Sequence, residues 1–201
     1  MGYYIRVLAT KADQPALKFL DSRLRDAKVH AALRLETGNE QKWEQLVLAH
    51  PNGPEIALIE FNPIESGELG QEELMEFIEE VAECQPQSAS HWLKQYLPGI
   101  KTIYALQLLS GTDIEDGWKA VHILQGALWT QSGGILQSDG EGFTNEDGNH
   151  ILWQFSDSAS GKWKMAVLDG EKWIAFEMEL GNSEQREAFL QGRVPRAARL
   201  L

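Results

Sequence analysis

Near its start and again near its end, the chain carries the same strand-like block. Lys42-Trp43-Glu44-Gln45-Leu46-Val47-Leu48 returns as Lys162-Trp163-Lys164-Met165-Ala166-Val167-Leu168, with four of the seven residues identical. A short turn follows each copy, then a second run carrying Ile56-Ala57-Leu58 in one and Ile174-Ala175-Phe176 in the other. An apolar-periodic helix closes both stretches. Two copies of one hairpin predict two similar halves of strand, helix, strands and helix, 1–98 and 99–201. The halves would be related by a pseudo-twofold and packed as one globular unit. Hairpins in place of strict βαβ alternation predict an α+β fold, its sheet mainly antiparallel with helices packed on one face.

Local patterning places the elements. Tyr3 to Thr10 is β-rich. Asp13 reads as an N-cap with Pro15 in the first turn, followed by Leu17, Leu20, Leu24 and Ala27 at helical spacing. Strands are expected over 32–37, 43–50 and 55–62, and an acidic helix over 71–85. A shorter helix carrying Trp92, Leu93 and Tyr96 ends at Pro98-Gly99, the expected boundary. The second half opens with a strand over 101–109. Thr112-Asp113-Ile114-Glu115 fits a capping box ahead of a helix with Ile114, Trp118, Val121, Leu124 and Leu128 on one stripe. Strands over 134–137, 151–155, 162–168 and 172–180 follow, then a helix capped by Asn182 and ended by Gly192.

Charge limits the partners. A net charge of -12 argues against nucleic acid and anionic membranes, because both are bound largely by Lys and Arg. Cys84 is the single cysteine, so no intrachain disulfide and no thiolate metal cluster can form. Met1-Gly2-Tyr3-Tyr4-Ile5-Arg6 lacks the basic start and apolar stretch of a signal peptide, and no apolar run reaches membrane-spanning length. A soluble, cytoplasmic protein is the expectation.

The segment Gly133 to His150 is the most unusual, with glycines, acids and amides set between two apolar runs. Asp139, Glu141, Asn145 and Asp147 are candidate oxygen ligands for Ca²⁺ or Mg²⁺, although Phe143 and Thr144 break the EF-hand spacing. Glu-Asp-Gly-Asn also makes an ordinary hairpin turn. Asp139, Glu141 and His150 are the candidate acid/base residues, with alternation along a strand putting the two acids on one face. Gly133-Gly134 leads into a strand, unlike a phosphate-binding loop. His122 is expected as a satisfied, partly buried imidazole on its helix.

Five of the seven Trp fall in the second half. Trp173 faces away from Ile174, Phe176, Met178 and Leu180, so Trp173 with Glu177, and with Trp118, forms the candidate ligand-binding set. The acidic helix face of Glu72 to Glu83 is expected to be a solvated face. The basic C-terminal run Arg193 to Leu201 is expected either to pack onto that helix, within the chain or from a neighbouring subunit, or to be a frayed tail. The missing catalytic motif favours a non-enzymatic binding module holding a small ligand or protein partner between the halves, with no cofactor. The alternatives are a hydrolase or divalent-metal enzyme using the Asp139/Glu141/His150 region, and an interaction protein, such as a homodimer, with a flat interface.

Overall fold

Val7, Leu8 and Ala9 are consecutive and all fully buried, so the end of β1 (Tyr4–Ala9) is covered on both faces. The computed structural model describes residues 2–65 and 68–201. These form a mixed α/β fold with two sheets and packed helices. The chain divides into two compact units, 1–72 with 100–136 and 73–99 with 137–201. They are interleaved along the sequence, unlike the sequential halves 1–98 and 99–201.

In the first unit, β1 leads to α1 (Leu17–Asp26), β2 (Ala32–Gly38), β3 (Trp43–Ala49) and β4 (Glu55–Pro63). The chain leaves this unit within α2 (Leu69–Glu80), and α3 (Gln87–Tyr96) lies in the second. It returns as β5 (Thr102–Leu108), α4 (Gly117–Ser132) and the start of β6 (Ile135–Ser138). The sheet order is β2-β3-β4-β5-β1-β6, and the pairs from β2 through β1 are antiparallel. Helices α1 and α4 pack on one face, where Leu20 and Leu24 of one and Val121, Leu124 and Leu128 of the other meet Leu46, Leu48 and Ile59. Nineteen buried residues share that core, enough apolar area to stabilise the unit by tens of kcal/mol before entropy is subtracted.

The strand order does not repeat. β1 and β5, the opening strands of the expected halves, pair with each other, but their outer neighbours are β6 and β4. A duplicated sheet would put β2, the counterpart of β6, beside β5; β2 is the far edge strand instead.

Two helix starts differ from the local signals. α1 begins at Leu17 with Ala16 as its cap, because the amide of Leu17 is satisfied by the Glu40 carbonyl at 3.2 Å and no side-chain cap is needed. The capping box at Thr112 does not form. The Thr112 hydroxyl donates to the Ile56 carbonyl at 2.7 Å, a short 3₁₀ turn spans Ser110–Asp113, and α4 starts only at Gly117. Ile114 and Trp118 are exposed in consequence, as is His122, which meets the Trp118 ring edge-on at 5.6 Å.

The second unit contains α3, β7 (Gly142–Thr144), β8 (Lys162–Asp169), β9 (Lys172–Glu179), α5 (Ser183–Leu190) and β10 (Arg199–Leu200). Strands β10, β9 and β8 pair antiparallel in that order. Met165 and Val167 of β8, Phe176 and Met178 of β9, and Phe189 of α5 form its core. Asn182 caps α5, its side chain accepting the Gln185 amide at 3.1 Å, and Gly192 ends the turn that follows. The expected strand over 151–155 is absent. The Ile151 amide bonds the Phe143 carbonyl while that of Trp153 reaches Gln85, so the segment is held by two unrelated strips. No helix among the described residues is long and apolar enough to cross a membrane.

Candidate functional site

At one end of the first unit's sheet, β3 begins, β4 finishes and β5 begins, and the loop from β1 to α1 passes beside them. Together with Ile64, Glu65 and Glu68 to Gly70, these segments border an open cleft of about 980 Å³, at the top of the range for small-molecule sites. Its walls carry five carboxylates, Asp13, Glu44, Glu60, Glu65 and Glu68, against two ammonium groups, Lys42 and Lys101.

The floor is aromatic. Trp43 is 1% exposed, and its ring stands edge-on to Phe61 at 5.9 Å. Tyr104 lies 5.6 Å from Phe61 and 6.0 Å from Trp43. The Trp43 indole N–H donates to the Pro15 carbonyl at 2.8 Å, and the Gln14 amide donates to the Trp43 carbonyl, so the β1–α1 loop is clasped to β3. Tyr104 is buried, and burial first and the Asp13 charge second push its phenol above the ordinary range. The phenol therefore stays neutral. Half-buried Phe61 is the ring that faces open space, and half-buried Glu60 accepts a hydrogen bond from Gln45 at 3.2 Å.

Such a surface has a defined chemistry. Excess negative charge in a concave wall concentrates cations, and a low-dielectric floor strengthens the attraction. An aromatic face adds cation–π attraction of about 0.5–2 kcal/mol. Among the described residues of the lining, no nucleophile is paired with a base.

The residues singled out from the sequence lie elsewhere. Trp118, in the first unit, is 43% exposed, and its indole N–H donates to the Asp113 carboxylate at 3.2 Å. Trp173, in the second unit, meets Trp92 edge-on at 5.2 Å, and Trp92 stacks on Tyr96 at 4.5 Å. Glu177 is paired with Arg199 at 3.0 Å and Lys162 at 3.9 Å. The basic C-terminal run thus docks on β9 through β10, and it neutralises the carboxylate that the Trp173 set would have offered to a ligand.

Asp139 and Glu141 sit on a tight turn between β6 and β7, so strand alternation does not set their directions. Asn145 is buried, and its side-chain oxygen accepts the amides of Asp147 and Asn149 at 3.2 and 3.0 Å. That oxygen organises the turn through Gly148. Among the described residues no group of three or more His, Cys, Asp or Glu stands close enough to hold a metal ion.

His150 is 6% exposed. Its Nδ1 lies 2.9 Å from the Thr144 hydroxyl, and the rings of Trp163 and Phe155 are 5.0 and 5.1 Å away. Nε2 has no hydrogen-bond partner in ordinary geometry. Burial lowers its pKa to about 4, with the Glu141 backbone pulling weakly the other way. A neutral imidazole is thereby held in an aromatic nest.

Sequence pattern does not reveal the cleft, because its carboxylates come from four separate segments. The local signals are Glu60 interrupting the apolar run Ile56 to Phe61, and Glu44 beside the repeated Lys-Trp pair. No protein-family model matches the chain, and no curated protein or solved structure matches it.

Proposed function

We propose that the protein is a non-enzymatic binding module that takes a small organic cation, an amine with an apolar body, into the acidic cleft of its first unit. The observation that carries this reading is the cleft itself: about 980 Å³, five carboxylates against two lysines, and the Phe61 ring at its floor. The ammonium group would sit among the carboxylates while the apolar body lies on Phe61. Clamping of the β1–α1 loop by Trp43 and Gln14 supports a pre-formed site, which reduces the ordering cost of binding. Each unit also holds one Lys-Trp hairpin, which supports a duplicated origin for that hairpin.

Calorimetric titration with spermidine at low ionic strength tests the reading. Spermidine should bind, weaken as salt is raised, and bind about tenfold less tightly to the Asp13→Asn, Glu60→Gln double variant, a change of ~1.4 kcal/mol. Glu60→Gln keeps a partner for Gln45, so folding should be unaffected. Equal binding by the variant and the parent protein, or no binding by either, would refute the assignment.

A further inference from the structure

His150 combines three features that together amount to a device. Its ring is buried, one nitrogen lacks a partner, and its backbone is a fastening point. The His150 amide donates to the Lys164 carbonyl at 2.9 Å, and the His150 carbonyl accepts the Ala166 amide at 2.8 Å. These two bonds form a parallel bridge to Met165 and tie the segment after β7 to β8.

A neutral imidazole offers one donor and one acceptor, whereas an imidazolium offers two donors and needs two acceptors. In the nest the Thr144 hydroxyl can serve one nitrogen, and the other has only the Glu141 backbone nearby, short of a well-formed hydrogen bond. Burying that charge with an unmet donor is costly, and the ring can relieve the cost only by moving into water. Outward movement of the ring together with its backbone breaks the two bonds.

We infer that His150 is an acid-sensitive latch whose protonation frees the segment following β7 from β8. The titratable and charged residues on the surrounding elements are Asp139 and Glu141 ahead of β7, Glu146 and Asp147 in the turn before His150, and Asp157 after Phe155. To these are added Lys162, Lys164 and Asp169 on β8, Lys172, Glu177 and Glu179 on β9, and His91, Lys94 and Tyr96 on α3. Of these, Glu146, Asp147, Asp157, Lys162 and Lys164 are exposed to solvent, so their charges are screened. Burial outweighs the pull of the Glu141 backbone, and the closed form keeps the ring neutral to about pH 4. The folded value lies below the ordinary 6.5, so the closed form is fully favoured above pH 6.5 and loses ground as pH falls toward 4.

Amide hydrogen exchange from pH 7 to pH 4, corrected for intrinsic rates, tests the latch on the intact chain. The opening equilibrium read at the His150 and Ala166 amides should rise up to tenfold per pH unit below 6.5, roughly 100-fold between pH 7 and pH 4. Amides between β4 and β5 should keep their protection over the same range. His150→Phe should abolish the slope at Ala166, and His150→Gln serves the same purpose if the Phe variant does not fold. A pH-independent Ala166 amide, loss of protection at all these amides together, or an unchanged slope in the variant would each overturn the proposal.

Discussion

Replacing Trp43 by alanine should lower the stability of the protein by about 3–5 kcal/mol. The side chain is 1% exposed and shares a core with Phe61 and Tyr104, so its removal leaves a cavity that surrounding strands cannot close. That figure includes a second cost. The buried Pro15 carbonyl loses the indole N–H that holds it at 2.8 Å, and an unpaired buried acceptor costs about 1–3 kcal/mol. Trp43→Phe separates the two contributions, since it retains most of the apolar body and loses only the hydrogen bond and some volume. It should cost about 1–2 kcal/mol. Urea denaturation of the three proteins measures both values. A Trp43→Ala penalty below about 1 kcal/mol would mean that the floor of the cleft is not packed as described.

Gly134→Ala should be comparably severe, at about 3–5 kcal/mol, although it adds a single methyl group. Gly134 has φ +96°, and a Cβ there would lie 1.9 Å from the Leu8 carbonyl oxygen. That oxygen is backbone in a fully buried strand, so no side-chain rotation relieves the clash. The Gly134 carbonyl also accepts the Trp129 indole N–H at 2.7 Å, which resists any shift of the turn. Gly140→Ala is the control. It too has positive φ, at +69°, but a Cβ there would meet nothing within 4 Å. Only the conformational cost of about 1 kcal/mol should appear. Similar melting temperatures for the two variants would show that close approach to β1 is not what requires a glycine at 134. The same close approach gives the glycine at 134 a structural role ahead of β6.

Alternation and turn chemistry made the hairpins legible from the sequence. Trp43–Ala49 with Glu55–Pro63, and Lys162–Asp169 with Lys172–Glu179, lie within a few residues of their expected limits, and Asn182 caps its helix as expected. These features depend on neighbours close in sequence. Insertion of β5 between β4 and β1 depends on pairing across some forty to a hundred positions, and nothing local encodes it. Thr112 illustrates the limit most clearly: its sequence suits a capping box, but the Ile56 carbonyl, far away in the chain, claims the hydroxyl.

The candidate site was less legible than the fold. Alternation correctly put Trp173 and Glu177 opposite Phe176 and Met178, but it says which way a residue faces and not what covers it. Arg199 and Lys162 cover Glu177, and Trp92 covers an edge of Trp173. The acids of the cleft carried no motif, because Asp13, Glu44, Glu60, Glu65 and Glu68 become neighbours only when the strand ends converge.

The most direct test of the central claim is a two-dimensional amide NMR titration of the folded protein with spermidine. Shifts concentrated at Asp13, Glu44, Gln45, Phe61 and Asn62 are the predicted result, with the exposed acids of α2 left unmoved. Shifts spread along Glu76, Glu79 and Glu80 instead, or no shifts at all, would contradict a cation site in the cleft.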